Sequence, residues 1–303
     1  MTLEQERVAG LAAALGAFSI WGLAPLYFKL LGHVGADEII GHRVIWSMVL
    51  LGIVLVVRER GRLIECIRVE RRVLVALMVS AILIAINWLV FVYAINTNRV
   101  LSTSLGYFIN PLVNVLLGML IFRERLGRLQ TIAVVLAFVG TAWMTVRVGR
   151  FPWIALLLAS SFALYGVVRK KTDVGPLVGL FWETLLMTPL ALAWLYWLDR
   201  RGVLVFNPGS LGEAALLAGT GLVTLVPLVL FATGVRRLNL STIGLMQYLA
   251  PSMTFVLAVF LFDEPFTADH AVTFAFVWTA LILFTIAGWR HYRRARILPR
   301  EAA

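Results

Sequence analysis

Two ionisable residues of opposite charge, Arg43 and Glu183, stand 140 positions apart in stretches that are otherwise almost wholly apolar. A charge near the centre of a lipid-spanning helix costs at least about 2.5–3.5 kcal/mol on insertion scales, so such a group faces a cavity or a partner. Three kinds of chemistry are open to these two side chains: contact with a charged solute, as a pair or separately; proton transfer; or a structural ion pair that only holds two halves of a protein together. His42, beside Arg43, adds a side chain that titrates near neutral pH. A packed or interfacial histidine is the competing reading. Glu38, near the edge of the same stretch, reads as an entrance charge.

A second layer is polar and aromatic. Ser104-Leu105-Gly106-Tyr107-Phe108-Ile109-Asn110-Pro111 breaks one apolar stretch, and Gly244-Leu245-Met246-Gln247-Tyr248-Leu249-Ala250-Pro251 breaks another. Proline frees the carbonyl four residues earlier, here that of Tyr107 and that of Gln247, and kinks a helix. A freed carbonyl beside Asn110, Gln247 or Tyr248 suits a cavity wall better than lipid. Asn87-Trp88 and Tyr93 fall inside a further apolar stretch, and Trp21-Gly22 inside the first. Interhelical stitching by Asn and Gln is the alternative, as is an interfacial belt for Trp and Tyr.

Other chemistries lack their residues. No Gly-x-x-x-x-Gly-Lys-Ser/Thr phosphate loop is present, and the four histidines form no His-Glu-x-x-His spacing. One cysteine, Cys66, allows no intramolecular disulfide and no metal cluster. No metal and no cofactor are therefore expected. The competing function classes are a membrane transferase or hydrolase, which would gather polar groups at one membrane face, and a non-transporting receptor or scaffold.

The elements that position these residues are membrane helices. The chain has 303 residues, 61% hydrophobic and only 14% charged, against about a quarter charged in soluble domains. Ten stretches are long enough to cross the bilayer, roughly 17–25 residues each. They run over Val8–Phe28, Glu38–Val57, Val73–Asn98, Val100–Phe122, Leu129–Val146, Phe151–Val168, Val174–Leu198, Ala214–Val235, Leu238–Phe262 and Ala271–Trp289. The first is too long, and too acidic ahead of it, for a cleaved signal peptide.

The row of stretches repeats itself. Ala137-Phe138-Val139-Gly140-Thr141-Ala142 returns 138 residues later as Ala275-Phe276-Val277-Trp278-Thr279-Ala280, and Arg99 with Gly106 returns as Arg237 with Gly244. Pro111 and Glu124 return as Pro251 and Glu264. Five stretches per copy is an odd number, so the second copy enters the membrane from the opposite side, giving an inverted repeat with the site expected between the copies. The expected division is 1–148, 149–290 and a basic tail 291–303. With the first residues inside, most of the 27 Lys and Arg residues fall on one side, which places both termini in the cytoplasm. The net charge of +11 is thus topology, not a nucleic-acid footprint.

The pattern Trp21-Gly22 to Pro25, Glu38 with His42-Arg43, Asn87-Trp88 with Tyr93, Ser104 to Pro111, Glu124-Arg125-Leu126, Tyr165-Gly166, Glu183-Thr184 and Gln247-Tyr248 resembles the EamA-type permeases of the drug/metabolite transporter superfamily. The resemblance spans nearly the whole chain. It implies an all-α integral membrane protein of ten helices in two inverted EamA repeats, in the bacterial inner membrane, moving small metabolites. Helices one to four and six to nine would surround a central cavity, with helices five and ten peripheral, where a homodimer contact would form. Arg43 and Glu183, then Asn87, Trp88, Tyr93, Tyr107, Asn110, Gln247, Tyr248 and Trp21, are the residues expected to bind or gate the small-molecule substrate. Glu183 and His42 are the expected proton carriers.

Overall fold

A computed structural model describes residues 3–59, 68–122, 127–148, 151–207, 209–237 and 246–297. Among these, all regular structure is helical. The helices are α1 (Leu3–Leu30), α2 (Ala36–Glu59), α3 (Arg71–Asn96), α4 (Val100–Phe122), α5 (Arg128–Val148), α6 (Trp153–Lys171), α7 (Pro176–Arg200), α8 (Leu211–Arg237), α9 (Leu249–Val256, continued by a π-helical turn Leu257–Leu261) and α10 (Ala268–Ile297). Seven of them, α1, α2, α3, α5, α7, α8 and α10, contain described stretches long and apolar enough to cross a membrane. Two shorter apolar stretches lie in α6 and α9.

Local sequence sets the breaks. Asn98 takes a left-handed φ of 54°, which turns the chain from α3 into α4 within three residues. Gly202, at φ 67°, ends α7 in the same way. Pro176 opens α7 at a position where its missing N–H costs nothing. Tyr248 and Gln247 sit in the turn before α9, so Pro251 falls in that helix's first turn rather than kinking a longer described span. The preceding residues 238–245, with Gly244, lie outside the described residues, as do Glu124, Arg125 and Leu126.

The principal helix–helix contacts recur when the two halves are exchanged. The α1–α8 contact has its mate in α3–α6, α1–α9 in α4–α6, and α2–α8 in α3–α7, while α2–α7, α4–α9 and α5–α10 are their own mates. Direction is inverted too. The Glu6–Arg237 ion pair puts the start of α1 at one end of the bundle. Trp153, at the start of α6, packs on Tyr93 at the opposite end, beside Asp37 of α2. The fold is therefore two inverted five-helix repeats.

Small residues let the halves approach. A Cβ on Gly106 would come within 2.9 Å of the Ala155 carbonyl oxygen, where α4 crosses α6. One on Gly22 would meet Met253 Cβ at 2.8 Å, where α1 crosses the mate element α9. Polarity runs inside out relative to a soluble protein. Phe138 of α5 is 73% exposed, whereas Ser47, Ser80, Asn110, Glu183 and Thr184 are fully buried. Lipid solvates the former; of the latter, Ser80, Asn110, Glu183 and Thr184 have protein hydrogen-bond partners, and Ser47 Oγ has none among the described residues.

Candidate functional site

Arg43, on α2, faces α8 and is 7% exposed. Its Nε donates to Thr224 Oγ1 of α8 at 2.7 Å, and Thr224 in turn donates to the Thr220 carbonyl one turn earlier. The guanidinium carbon stands 4.2 Å from the Trp88 ring centroid and 5.6 Å from that of Phe28. Residue 88 is carried by α3 and residue 28 by α1, so four helices from both repeats hold this one cation.

Trp88 is positioned by its neighbour. Asn87 Nδ2 donates to the Leu158 carbonyl at 3.0 Å and to Ser161 Oγ at 3.1 Å, both on α6. Asn87 Oδ1 accepts from the Tyr107 hydroxyl of α4 at 3.3 Å. The Asn87 amide is thus engaged on both its nitrogen and its oxygen, and it locks α3, α4 and α6 together around the tryptophan. Arg43, the adjacent Asn87 and Trp88, and Tyr107 form one assembly.

Glu183 belongs to a second assembly. It is fully buried on α7 and accepts from Ser80 Oγ at 2.5 Å and from the Tyr165 hydroxyl at 3.3 Å. Arg169 Nε of α6 lies 3.6 Å from its Oε1. The Arg169 guanidinium presses against Gly179, a position no Cβ could share with it. Rings bridge the two assemblies: Phe162 stands 6.3 Å from Tyr107 and 6.0 Å from Tyr165.

The remaining expected residues are placed elsewhere. Asn110 Nδ2 donates to the Ala159 carbonyl, an α4–α6 stitch. Trp21 packs edge-on against Phe18 and at a tilt against Phe231, beside Met246 and Ala250. Tyr248 stacks on Phe108, and Gln247 is half-buried next to it. Tyr93 is 37% exposed, at the end of α3 against Trp153, on a surface pocket of about 360 Å³ that includes Asp37. His42 is buried against the Phe206 ring at 4.7 Å, and its Nε2 has no hydrogen-bond partner among the described residues.

Sequence reasoning passed over Thr224, Ser80 and Arg169 as partners. Thr220 and Thr224, one turn apart in an apolar span, were the available sign for the first. Arg169, followed by Lys170 and Lys171, has the sequence setting of an ordinary basic helix flank. Two further carboxylates act as latches at the Asp37 end. Glu38 accepts from the backbone N–H groups of Val205 and Phe206 at 3.0 and 2.8 Å. Glu264 accepts from those of Val100 and Leu101 at 2.5 and 2.8 Å, capping α4. Among the described residues, no group of His, Cys, Asp and Glu could hold a metal ion.

The model of the EamA-like transporter family matches residues 8–146 and again 151–286. An uncharacterized transporter of Vibrio cholerae serotype O1 is 44% identical over 295 residues, covering 97% of both chains. A protein RarD of Streptomyces exfoliatus is 42% identical over 305 residues, covering 100% of this chain and 96% of its own. A solved crystal structure, 17% identical, superposes with a TM-score of 0.59 over 92% of this chain and 98% of its own, a likeness of fold.

Proposed function

Because the chain belongs to the EamA-like transporter family, we propose that it is a secondary active permease moving small organic metabolites, amino-acid-like or amphipathic and drug-like, by alternating access. As a multi-pass membrane protein it would sit in a bacterial inner membrane with both termini cytoplasmic. The observation that carries this reading is a pair of fully or nearly fully buried charges, Arg43 and Glu183, on the mutually packed helices α2 and α7 of the two inverted repeats. Rocking one repeat against the other moves these helices relative to each other and alternates which end of the bundle opens.

Glu183 supplies the coupling. Ionised, it holds Arg169 of α6; protonated, it loses that ion pair and frees α6 and α7 to shift against each other. His42 is the second titratable group in reach of the α2 interface. Trp88, Tyr107 and Asn87 shape the wall around Arg43, with Tyr93, Asn110, Gln247, Tyr248 and Trp21 gating or supporting more distant parts of the path. The outer faces of α5 and α10, apolar at Phe138 and Ile282, face lipid or a second copy of the chain.

The test is proton movement in sealed proteoliposomes carrying an internal pH dye, on addition of amino acids, aromatic metabolites or phenicol antibiotics. Solute-evoked proton flux is expected from the unaltered protein and not from Glu183→Gln, which should remain folded and inserted. Full flux in that variant removes Glu183 from the mechanism. No flux with any solute or gradient favours a scaffold.

A further inference from the structure

Among the described residues, Arg43 is a buried cation without an anion. Its Nε is satisfied by Thr224 and one face of the guanidinium by Trp88, but its two terminal nitrogens make no hydrogen bond or ion pair to any described residue. The carboxylates nearest in sequence and in packing are already committed. Glu38, five residues earlier on α2, spends both oxygens on Val205 and Phe206. Glu183, on the adjacent α7, is held by Ser80, Tyr165 and Arg169. Arginine cannot escape its burial by losing a proton, because its guanidinium stays charged in proteins. An uncompensated buried charge is costly, and this one is kept.

We infer that the anion arrives with the substrate: Arg43 is the recognition site for the carboxylate of a monoanionic organic acid whose body is apolar or aromatic. This rests on the permease reading above and narrows it. The free edge of a guanidinium is a planar fork that matches a carboxylate with two parallel hydrogen bonds. A single positive charge balances a carboxylate but leaves a phosphate monoester half-neutralised, and among the described residues Arg169 is already charge-balanced by Glu183, though its Nη1 has no hydrogen-bond partner, and Lys29 donates to Asn98. The ring faces of Trp88 and Phe28 flank the guanidinium, and Tyr107 stands beside Phe91 and Phe162. An aromatic or aliphatic body would rest there, while a cationic head would be repelled. Binding then places the counter-ion where α2 of one repeat meets α8 of the other, so occupancy and the relative position of the repeats are linked.

The experiment compares acids with their uncharged analogues on the full-length, detergent-purified protein. Thermal stabilisation is titrated with phenylacetate and indole-3-acetate against phenylacetamide and indole-3-acetamide, with phenyl phosphate alongside. The acids should bind at least about tenfold more tightly than the amides, the discrimination expected when a buried charged donor is left unpaired. Arg43→Gln should abolish that preference, and Arg43→Lys should keep part of it. Equal affinity for acid and amide, no binding of either acid, tighter binding of phenyl phosphate, or a preference that survives Arg43→Gln would each overturn the inference. The comparison in the unaltered protein stands even if Arg43→Gln fails to fold. Flux in proteoliposomes separates the two readings. Acids that bind but are never moved count against the permease and leave the anion site in place; neutral solutes moved without preference for acids do the reverse.

Discussion

Arg43 and Glu183 sit on equivalent helices of the two repeats, which pack against each other, yet they form no ion pair: Arg43 donates to Thr224 and Glu183 is held by Ser80, Tyr165 and Arg169. Inverted symmetry relates the helices, but not the neighbours each charge meets. One repeat thus buries a cation and the other a carboxylate, each in its own set of partners, so under the proposed function the two can be occupied or titrated independently.

Glu183→Gln keeps the shape of the side chain and one acceptor for Ser80 or Tyr165, but cannot ionise. The protein should still fold, with its melting temperature lowered because Arg169 loses its counter-ion, whereas pH-gradient-driven flux should disappear and solute exchange without a gradient should persist. Parallel melting curves and the two flux modes check this.

Gly179→Ala introduces a Cβ where the Arg169 guanidinium lies. Arg169 must swing away, leaving Glu183 buried with its two hydroxyl donors alone. The apparent pH for half-maximal flux should therefore rise, since removing a nearby cation favours the protonated carboxyl. A profile that does not move would detach Arg169 from the coupling step.

Thr224→Val removes the acceptor for Arg43 Nε at nearly constant volume. Leaving that buried charged donor unpaired should cost about 1–3 kcal/mol or more. Thr224→Ser keeps the hydroxyl and should restore most of the loss. Denaturation midpoints of the three proteins decide the matter.

Glu264→Ala takes the carboxylate from the N–H groups of Val100 and Leu101. Amide exchange at these two residues should accelerate, while the α5–α10 contact keeps its protection. Unchanged exchange would mean that water replaces the cap without loss.

Gly106→Leu overfills the α4–α6 crossing at Ala155 and Leu158, and Gly22→Leu does the same where α1 crosses α9 at Met253. Overpacking of this kind costs about 1–3 kcal/mol or more. The two variants should lose stability to a similar extent, because the crossings are mates under exchange of the repeats; thermal melts in one detergent test the equivalence.

Much of the architecture was legible before any coordinates. Recurrence of Ala137–Ala142 at Ala275–Ala280, and of Arg99 with Gly106 at Arg237 with Gly244, marks two copies, because a repeated fold needs the same small and apolar residues at the same crossings. Arg43 and Glu183 stood out because ionisable groups in apolar spans are expensive. Tyr93 and Gln247 show where the reading thinned. Both looked like cavity residues by type, but Tyr93 lies at the exposed end of α3 and Gln247 in the turn ahead of α9. Residue type records what a side chain can do, not how deep its helix carries it.

Composition and period by themselves determined that this chain is a helical, twofold-repeated membrane protein, since transfer of apolar runs into lipid and backbone hydrogen bonding within each helix are local to the sequence. Which groups meet was decided only by the tertiary structure. Thr224 reaches Arg43 across 181 positions and Ser80 reaches Glu183 across 103. Such contacts depend on the rotation and tilt of whole helices, set by close approaches such as Gly106 on Ala155 and Gly22 on Met253. Those angles arise from many packing contacts summed together, and no stretch of sequence carries them alone.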